Sequence, residues 1–468
     1  SGGAVSLVEG SGNIALINAN FKLNSASKGS GGAIHLASRI TSIANNSNFV
    51  SNIACSGGAI YIVFKSTLSI DKCRFSHNMA VQGTGYGGAI RASMETIVTS
   101  SRSHYFNNSA DSIGGVICMD NSLLFLDRSN FSNNQAQSAG GVLGLVANIN
   151  FSIEHCNFQN NHAPNNPGGS MFIENESNGK ITHSNFLENY SKPGGGAILV
   201  TRGSTLNISS TSFINNTGFN IGGALYIINS NVCISDSDFY SNKVIDPGEK
   251  TGGAALRIGS SDAVANVTIT RCQFSNNKVE VDGGAIHVSK SNLIISLSHF
   301  HHNKAGKNGG FLYATDHSVI TILNSHFTNN SVSHLGGAAC VDMYSNISIT
   351  NSTFYHNEAI DSGGGLSFLS HSSGHLDNCT FYQNRASNMA GAIIAEGKCN
   401  LQVFNSIFQN NYVYDFLLLS YITKNLSIHQ IECLHMLQFK KDGGAILIQT
   451  YSSLELHHSL FINNTAED

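Results

Sequence analysis

Residues that could carry out acid–base chemistry are scarce in this sequence, because only 12% of its 468 residues are Asp, Glu, Lys or Arg. Asp236 and Asp238 lie close together and Asp71 precedes Lys72, but neither group recurs at a regular spacing. Glycoside cleavage needs two carboxyl groups at a defined separation. We therefore predict that the chain is not an enzyme and binds no cofactor, and we keep a polysaccharide lyase or hydrolase as the least favoured alternative.

Histidine clusters raise the question of a metal site, since neutral imidazole is a common metal ligand. The sequence has 20 histidines, including His299, His301 and His302 around one phenylalanine and the pair His457–His458. No calcium-binding nonapeptide of the GGxGxDxUx type occurs. We interpret these histidines as solvated turn residues and predict that the chain holds no metal.

The ten cysteines are spread singly, without CxxC pairs, which disfavours zinc. Four of them share a position two residues before a phenylalanine: Cys73, Cys156, Cys272 and Cys379. This position is predicted to face inward, where a cysteine acts as a small buried apolar side chain. The alternative is a disulfide between adjacent coils of a repeat structure, and the candidate pairs are Cys55–Cys73 and Cys379–Cys399.

Asn-x-Ser/Thr sequons occur fifteen times. A chain so rich in these residues would show almost as many by chance, but exposed sequons of a secreted eukaryotic protein carry glycans. Asn215 and Asn463 overlap a predicted corner and are expected to be sterically blocked. The remaining candidates are Asn45, Asn107, Asn130, Asn150, Asn175, Asn189, Asn207, Asn266, Asn329, Asn346, Asn351, Asn378 and Asn425.

The chain contains a sequence repeat, and the structure of this repeat must determine where the residues above are placed. A Gly-Gly signal followed by an apolar run recurs at intervals that are mostly 26 to 31 residues. A Phe-x-x-Asn signal keeps step with it, and Tyr105 replaces the phenylalanine once. Between the signals lie short period-two alternations, such as Leu225 and Ile227, which are typical of strands. Two signals locked in phase over sixteen repeats establish the repeat.

A period of about 27 residues without a helical pattern predicts a parallel β-helix, an all-β solenoid in which each repeat is one coil. Each coil is expected to hold three short strands and three turns, and seventeen coils at about 4.8 Å predict a rod of roughly 80 Å. The general crossover rule favours right-handed coiling. Propeller blades need about 40–50 residues, and the leucine-rich-repeat signature is missing.

The repeat signals have distinct expected roles. Stacked phenylalanines predict an internal column, each contributing roughly 1.5–3 kcal/mol by burial. The glycine pair predicts a tight corner, and the asparagine predicts a second corner with an amide ladder. We divide the solenoid into regular coils at 1–411, a degenerate coil with a side loop at 412–442, and a final regular coil at 443–468.

The paired signals GGA[IVL] and FxxN resemble the repeats of the chlamydial polymorphic outer-membrane proteins. GGAI occurs, for example, at Gly31–Ile34, Gly57–Ile60 and Gly443–Ile446, and the resemblance covers essentially the whole chain. It implies an autotransporter-type β-helical passenger that is displayed at a cell surface and used in adhesion. The membrane barrel that such proteins carry has no counterpart in this sequence.

The composition limits the kinds of partner that the chain is expected to bind. A net charge of −4 disfavours a nucleic-acid surface, and the most apolar run, Val413–Ile422, is shorter than a membrane span. The sequence begins and stops in phase with the repeat, which predicts continuation in a longer chain or end-to-end self-association. We predict an extracellular or cell-surface structural solenoid, a segment of a glycosylated filament, stalk or surface fibre. A surface adhesin is the alternative.

Overall fold

The computed structural model describes residues 2–8, 12–82, 85–245, 252–259, 264–413, 431–432 and 443–466. All regular structure in these residues is β-strand. The chain divides into two compact units, Ser1–Cys233 and Ile234–Asp468. Each unit is a parallel β-helix with eight Phe-bearing strands, so the described residues form eight coils in each unit. The predicted all-β solenoid fold with about 27 residues per coil is confirmed.

Each coil contains four strands rather than the expected three, and equivalent strands stack into four parallel ladders, here called A to D. Ladder A follows the Gly-Gly corner, ladder B contains the central alternation, and ladder C contains the phenylalanine. Ladder D is the additional one, and in most coils it is a two-residue strand directly after the Asn corner. Its shortness explains why no period-two signal revealed it.

The strands of the first unit in ladder A are Val5–Leu7, Ile34–Ala37, Ile60–Val63, Ile90–Ser93, Ile117–Met119, Leu143–Leu145, Met171–Ile173, Ile198–Val200 and Leu225–Ile227. Those in ladder B are Gly12–Ile17, Ile40–Asn45, Thr67–Asp71, Ile97–Ser101, Leu123–Asp127, Asn150–Glu154, Asn178–Thr182 and Thr205–Ser209. Those in ladder C are Asn20–Lys22, Asn48–Val50, Arg74–Ser76, His104–Phe106, Asn130–Ser132, Asn157–Gln159, Asn185–Leu187 and Ser212–Ile214. Those in ladder D are Ser25–Ser30, Ile53–Ser56, Met79–Ala80, Ser109–Ala110, Gln135–Ala136, His162–Ala163, Tyr190–Ser191 and Thr217–Gly218.

The boundary between the units falls within the strand Asn231–Ser235. In the second unit, ladder A comprises Leu256–Ile258, Ile286–Ser289, Leu312–Thr315, Ala339–Val341, Leu366–Leu369, Ile393–Glu396 and Ile446–Ile448. Ladder B comprises Asn266–Thr270, Asn292–Ser296, Val319–Leu323, Asn346–Thr350, Ser373–Asp377, Asn400–Phe404, Ile431–Glu432 and Ser453–His457. Ladder C comprises Asp238–Tyr240, Gln273–Ser275, His299–His301, His326–Thr328, Thr353–Tyr355, Thr380–Tyr382, Ile407–Gln409 and Leu460–Ile462. Ladder D comprises Lys243–Val244, Lys278–Val279, Lys304–Ala305, Ser331–Val332, Glu358–Ala359, Arg385–Ala386, Tyr412–Val413 and Thr465–Ala466.

Glycine occupies both positions of most Gly-Gly corners, and it does so for different reasons. Gly31 has φ 74°, and a Cβ there would lie 2.1 Å from the Ile34 carbonyl oxygen. At Gly32 a Cβ would lie 2.2 Å from the carbonyl oxygen of Gly58 in the next coil. The first glycine therefore allows the left-handed turn, and the second allows close stacking of coils.

The phenylalanine column runs through the interior of each unit. Ring centroids of neighbouring members lie 4.5–5.0 Å apart in the first unit. Tyr105 keeps its place in the column because Ser100 replaces the usual apolar residue of ladder B and shares a 2.7 Å hydrogen bond with the phenol. In the second unit Phe311 packs against both Phe300 and Phe327, whose ring centroids lie 5.4 Å apart.

The predicted asparagine ladder is confirmed in both units. At Asn330 the side-chain oxygen accepts hydrogen bonds from the backbone N–H and the amide Nδ2 of Asn303, at 3.1 and 3.0 Å. Its own Nδ2 donates to the Phe300 carbonyl at 2.9 Å and to Asn357 Oδ1 at 3.0 Å. The ladder thus satisfies buried backbone groups at a corner where strand pairing stops.

The segment between ladders D and A covers the outer face of ladder A. In the second unit it contributes isolated bridges such as Asn308↔Leu335 and Leu335↔Ser362. Side chains that point away from the central core, including Cys340 and Ile394, are consequently buried at 0% and 1% exposure. Ladder A therefore separates two packed layers, which the alternation did not predict.

The predicted degenerate coil at 412–442 lies largely outside the described residues. Its flanking coils pair directly with each other, with Asn400 opposite Ser453 and Phe408 opposite Phe461. Ile431–Glu432 pairs with Ser453–His457 as well. No coil therefore separates the strands at 400–413 from those at 443–466, and the prediction of an additional coil between them was wrong.

Removing one asparagine of the ladder should destabilise the second unit strongly. Asn330→Ala leaves the buried N–H and Nδ2 of Asn303 and the carbonyl of Phe300 without one partner each. Unsatisfied buried groups cost about 1–3 kcal/mol each, so the three groups together predict a loss of at least about 3 kcal/mol. Urea unfolding of the variant and the parent chain measures this loss.

Asn292→Ala is the matched control for this experiment. Asn292 is exposed and donates to Asn266 Oδ1 at 2.8 Å on the outer face of ladder B. An exposed substitution of this kind should change stability by no more than about 0.5 kcal/mol. Equal losses in both variants would contradict a structural role of the buried amides.

Candidate functional site

The densest group of titratable side chains lies in the covered layer outside ladder A of the second unit. We call Asp282, His287, Tyr313, Cys340 and Asp342 the covered cluster. His287, Tyr313 and Cys340 occupy equivalent positions in three consecutive coils. Tyr313 donates its hydroxyl to Asp342 Oδ2 at 2.9 Å, and the His287 ring stands edge-on to the Tyr313 ring at 5.0 Å. The backbone N–H of Asn308 donates to Asp282 Oδ1 at 3.0 Å.

Burial raises the pKa of three members of the covered cluster. Burial raises the pKa of the Cys340 thiol well above its ordinary value. Burial and the neighbouring Cys340 and Asp342 also raise the pKa of Tyr313, so both groups stay protonated at neutral pH. Burial raises the pKa of Asp282, although the Asn308 N–H opposes the change. No member is more than 9% exposed, so the cluster is part of the packed layer outside ladder A.

The sequence prediction missed the covered cluster because it assigned only alternate residues of ladder A to the interior. A signal was present, since several of these strands have no polar alternation, as in Ile117–Met119 and Ala339–Val341. Strands that are buried on both faces have this continuous apolar character. The first unit has a related group, in which Arg91 pairs with Asp120 and contacts Cys118.

The carboxylates singled out in the sequence form ion pairs across coils. Arg271 binds Asp236 through Nε and Nη2 at 2.7 and 2.8 Å, and this hydrogen bonding lowers the pKa of Asp236. Arg102 binds Asp71 at 2.8 Å. Both carboxylates therefore face an arginine of an adjacent coil. Neither ion pair supplies the two free carboxylates of glycoside cleavage.

The clustered histidines singled out in the sequence, His299, His301 and His302, lie on the outer surface, unlike the buried His287. The rings of His299 and His326 are tilted by 44° with their centroids 4.8 Å apart, and His301 lies beside His302 at the next corner. Among the described residues, no group of three or more His, Cys, Asp or Glu side chains could hold a metal ion.

The two predicted disulfides do not form, and their four cysteines are free thiols. Cys73 lies at the corner between ladders B and C, where the Ser103 hydroxyl contacts its backbone N–H, whereas Cys55 belongs to ladder D. Cys379 occupies the same B–C corner, next to Ser406, but Cys399 lies at the A–B corner next to Ser452. The members of each pair thus occupy different corners of the coil. The prediction of an inward, buried position for the four cysteines before phenylalanine is confirmed.

Most predicted glycosylation positions are accessible. Asn175 and Asn329 are half-buried, and Asn425 lies outside the described residues. The structure disfavours Asn189 as a glycosylation position, contrary to the prediction, because this residue is fully buried and donates to Asn216 Oδ1 in the asparagine ladder. Asn215 and Asn463 are exposed, contrary to the expected steric block. The other predicted positions are exposed: Asn45, Asn107, Asn130, Asn150, Asn207, Asn266, Asn346, Asn351 and Asn378.

Two open grooves lie on the outer faces of the second unit. One, of about 230 Å³, crosses ladder B and is lined by Thr321, Asn346, Ser348, His375 and Gln402 among others. The other, of about 440 Å³, crosses ladder C and is lined by His299, His326, Thr328, Thr353, Phe354, Tyr355, Thr380 and Tyr382. We call the second one the tyrosine groove. It combines aromatic rings with hydroxyl and imidazole groups, which suits ligand binding more than the covered cluster does.

Comparison with known proteins agrees with this architecture. Residues 172–336 and 309–467 match the family described as "Right handed beta helix region". Together these segments span more than half of the chain. The chain belongs to the right-handed β-helix family. This family includes both enzymes and proteins without enzymatic activity, so membership alone does not assign a reaction.

One curated relative of this right-handed β-helix is the metabotropic glutamate receptor-like protein R of Dictyostelium discoideum. It is 33% identical over 152 residues, which are 32% of this chain and 9% of that protein. The chain thus matches less than a tenth of the relative's length. Among the described residues, no helix is long and apolar enough to span a membrane.

Thiol accessibility tests the arrangement of cysteines in the right-handed β-helix. Cys233 is exposed and Cys55 half-buried, whereas seven described cysteines are buried. Burial raises the pKa of Cys379 to about 12 and that of Cys272 to about 11, so their thiolates are scarce at neutral pH. In a Cys433→Ser background, native protein should react with Ellman's reagent at Cys233 first and at Cys55 more slowly.

Denaturant should expose the other seven thiols, which gives nine reactive groups in total by the same assay. Two missing thiols, restored by a reducing agent, would instead indicate one of the disulfides. Cys233→Ser is the control, because it should remove the fast phase alone.

A pH titration of stability tests the environment of Asp282. A carboxyl group whose pKa is raised in the folded state contributes stability at low pH, and this contribution is lost as pH rises from its ordinary value of about 3.9 through the folded pKa. Asp282→Asn keeps the acceptor for Asn308 without the charge. We therefore expect the variant to gain stability relative to the parent chain as pH rises from 4 to 7.

Thermal unfolding across this pH range measures the difference between the two proteins. Asp238→Asn, at an exposed carboxylate of ladder C, is the control and should show no such trend. A variant that is equally destabilised at every pH would contradict the proposed burial cost.

Proposed function

We propose that this right-handed β-helix is a structural segment of a longer, glycosylated extracellular or cell-surface protein. The observation that carries the proposal is the pair of internal ladders, asparagine and phenylalanine, the latter with Tyr105 in one coil. These ladders recur in every described coil of each unit, while the outward residues change from coil to coil. Such a core supplies stiffness independently of the surface. A repeat array of this kind can serve as a stalk, filament segment or surface fibre.

Two further observations support the cell-surface placement. Most sequons are exposed, and exposed sequons are the positions that a secretory pathway can modify. The Dictyostelium relative is named as a receptor-like protein, and the matched segment is a small part of it. We infer by analogy that the present coils are one section of a larger surface protein.

The proposed partners are further coils, in the same chain or in a second copy. Val5–Leu7 pairs with Ile34–Ala37 on one edge, and its other edge presents backbone groups of the kind that pair with another strand. A coil placed there in register would continue all four ladders.

Adhesion is the second candidate function. The tyrosine groove is the observation that favours it, because it is an open surface with hydrogen-bonding and aromatic groups. The resemblance of the repeats to those of polymorphic outer-membrane proteins points in the same direction.

Expression in the secretory pathway of eukaryotic cells tests the proposed placement. The chain, fused to a secretion signal, should reach the medium and lose apparent mass when treated with a peptide N-glycosidase. Asn207→Gln, at an exposed outward position, should lose one glycan. Asn189→Gln should lose none, because that residue is buried in the asparagine ladder, and should instead lower the unfolding midpoint.

A chain that is retained in these cells, while protein made in a bacterial cytoplasm folds, would contradict the extracellular role. Secretion without any glycan would contradict the glycosylated form of the proposal. Release of reducing or unsaturated sugars from a polysaccharide panel would indicate an enzyme and overturn the purely structural function.

A further inference from the structure

The tyrosine groove is formed by two columns of side chains that flank the buried phenylalanines. On one side lie His299, His326, Thr353 and Thr380, which follow one another in register in four consecutive coils. On the other side Thr328, Tyr355 and Tyr382 are in register. Equivalent groups in neighbouring coils repeat at about 4.8 Å. The groove therefore presents a regular series of similar contacts along the stack of coils.

The groove is held in place before any ligand binds. The Tyr355 and Tyr382 rings stack at 5.4 Å with an interplanar angle of 6°, and Tyr355 also stacks on His356. Directly beneath, Phe354 and Phe381 stack at 4.6 Å inside the core. A His326 ring nitrogen lies 2.6 Å from the Thr353 hydroxyl. Fixed side chains lose little conformational freedom on binding, which favours affinity.

The lining of the groove carries no permanent charge, since it contains only His, Thr, Tyr and Phe. Burial and the neighbouring His299 lower the pKa of His326, so this imidazole is neutral at pH 7. Threonine hydroxyls, phenols and neutral imidazoles each donate and accept hydrogen bonds. The tyrosine rings add apolar area with a polar tip. This combination matches a ligand that has many hydroxyl groups, apolar C–H faces and no charge.

We propose that the tyrosine groove is a binding site for a neutral glycan chain, with Tyr355 and Tyr382 contacting the sugar rings and the threonines and histidines binding sugar hydroxyls. The repeated coils present similar hydrogen-bonding and aromatic groups to successive sugars of an extended chain.

Other ligand classes fit the groove less well. An anionic glycan would need cationic side chains, which the lining lacks. An extended peptide bound as an added strand would need free backbone groups, but the strand Thr353–Tyr355 is already paired on both edges.

This proposal rests on the second candidate function, adhesion, and names the class of ligand that would be bound. It does not depend on whether the chain is secreted or glycosylated. A second source of the same sugar chemistry does exist. Thr353 and Thr380 are the hydroxyl residues of the sequons at Asn351 and Asn378, so a glycan attached to this chain would begin beside the groove. We assign the groove to a separate glycan, and the experiment distinguishes the two sources.

The test uses the full chain made in a bacterial cytoplasm, which attaches no N-glycans. Calorimetric titration with neutral cello-, xylo- and chito-oligosaccharides is compared with titration with anionic oligogalacturonate and heparin fragments. At least one neutral oligosaccharide should bind. The double variant Tyr355→Ala/Tyr382→Ala should bind it at least about tenfold more weakly, as expected when aromatic anchors of a site are truncated.

Tyr240→Ala is the matched control. Tyr240 occupies the same strand position in another coil of the second unit, is 46% exposed, and lies outside the groove. It should leave affinity unchanged, and thermal unfolding should show that all variants are folded. Absence of neutral-glycan binding, preference for anionic glycans, or equal binding by the double variant would overturn the proposal. It would also be overturned if sugar contacts to Tyr355 appeared only in glycosylated protein and came from its own glycan.

Discussion

The hydrogen bonds of the asparagine ladder are the interaction on which each unit depends. At the corner between ladders C and D the strands turn, and the backbone N–H of each asparagine donates to a side-chain amide of the next coil instead of a backbone carbonyl. Asn303, Asn330 and Asn357 show this pattern, since each amide bonds the coil before it and the coil after it. An amide at this corner is useful only if its neighbours sit in register. The repeat length, the glycine corner and the phenylalanine column all serve to maintain that register.

Much of this could be predicted from the sequence, because a solenoid converts distant contacts into local repeats. The signals at Gly-Gly and Phe-x-x-Asn each mark a position whose environment is the same in every coil. The unpredicted features arise where one residue compensates for another. Ser100 makes room for the phenol of Tyr105, and Gly179 leaves space for the Phe151 ring, whose atoms would lie 2.3–2.4 Å from an added Cβ. Such pairs are separated in the sequence and carry no periodic signal.

The candidate site was less predictable for a related reason. The repeat does not constrain which residue types occupy the outward positions. Whether such residues form a binding site therefore depends on which neighbours the stacked coils place beside them. Tyr355 and Tyr382 each follow the phenylalanine of a Phe-x-x-Asn signal, but they form one surface only because neighbouring coils place them in register. The covered cluster shows the opposite outcome, since Tyr313 and Asp342 are buried only because a connecting segment folds over ladder A. A regular interior thus leaves the exterior available for specific binding.

The asparagine amides also give each unit a direction. In every described rung the Nδ2 donor belongs to the earlier coil and the Oδ1 acceptor to the later one, as for Asn384 and Asn411. The side-chain dipoles therefore add along the stack instead of cancelling. One open edge of such a stack offers acceptors and the opposite edge offers donors. Like edges are chemically mismatched, so coils can be added head to tail, whereas a two-fold symmetric union through these edges is disfavoured.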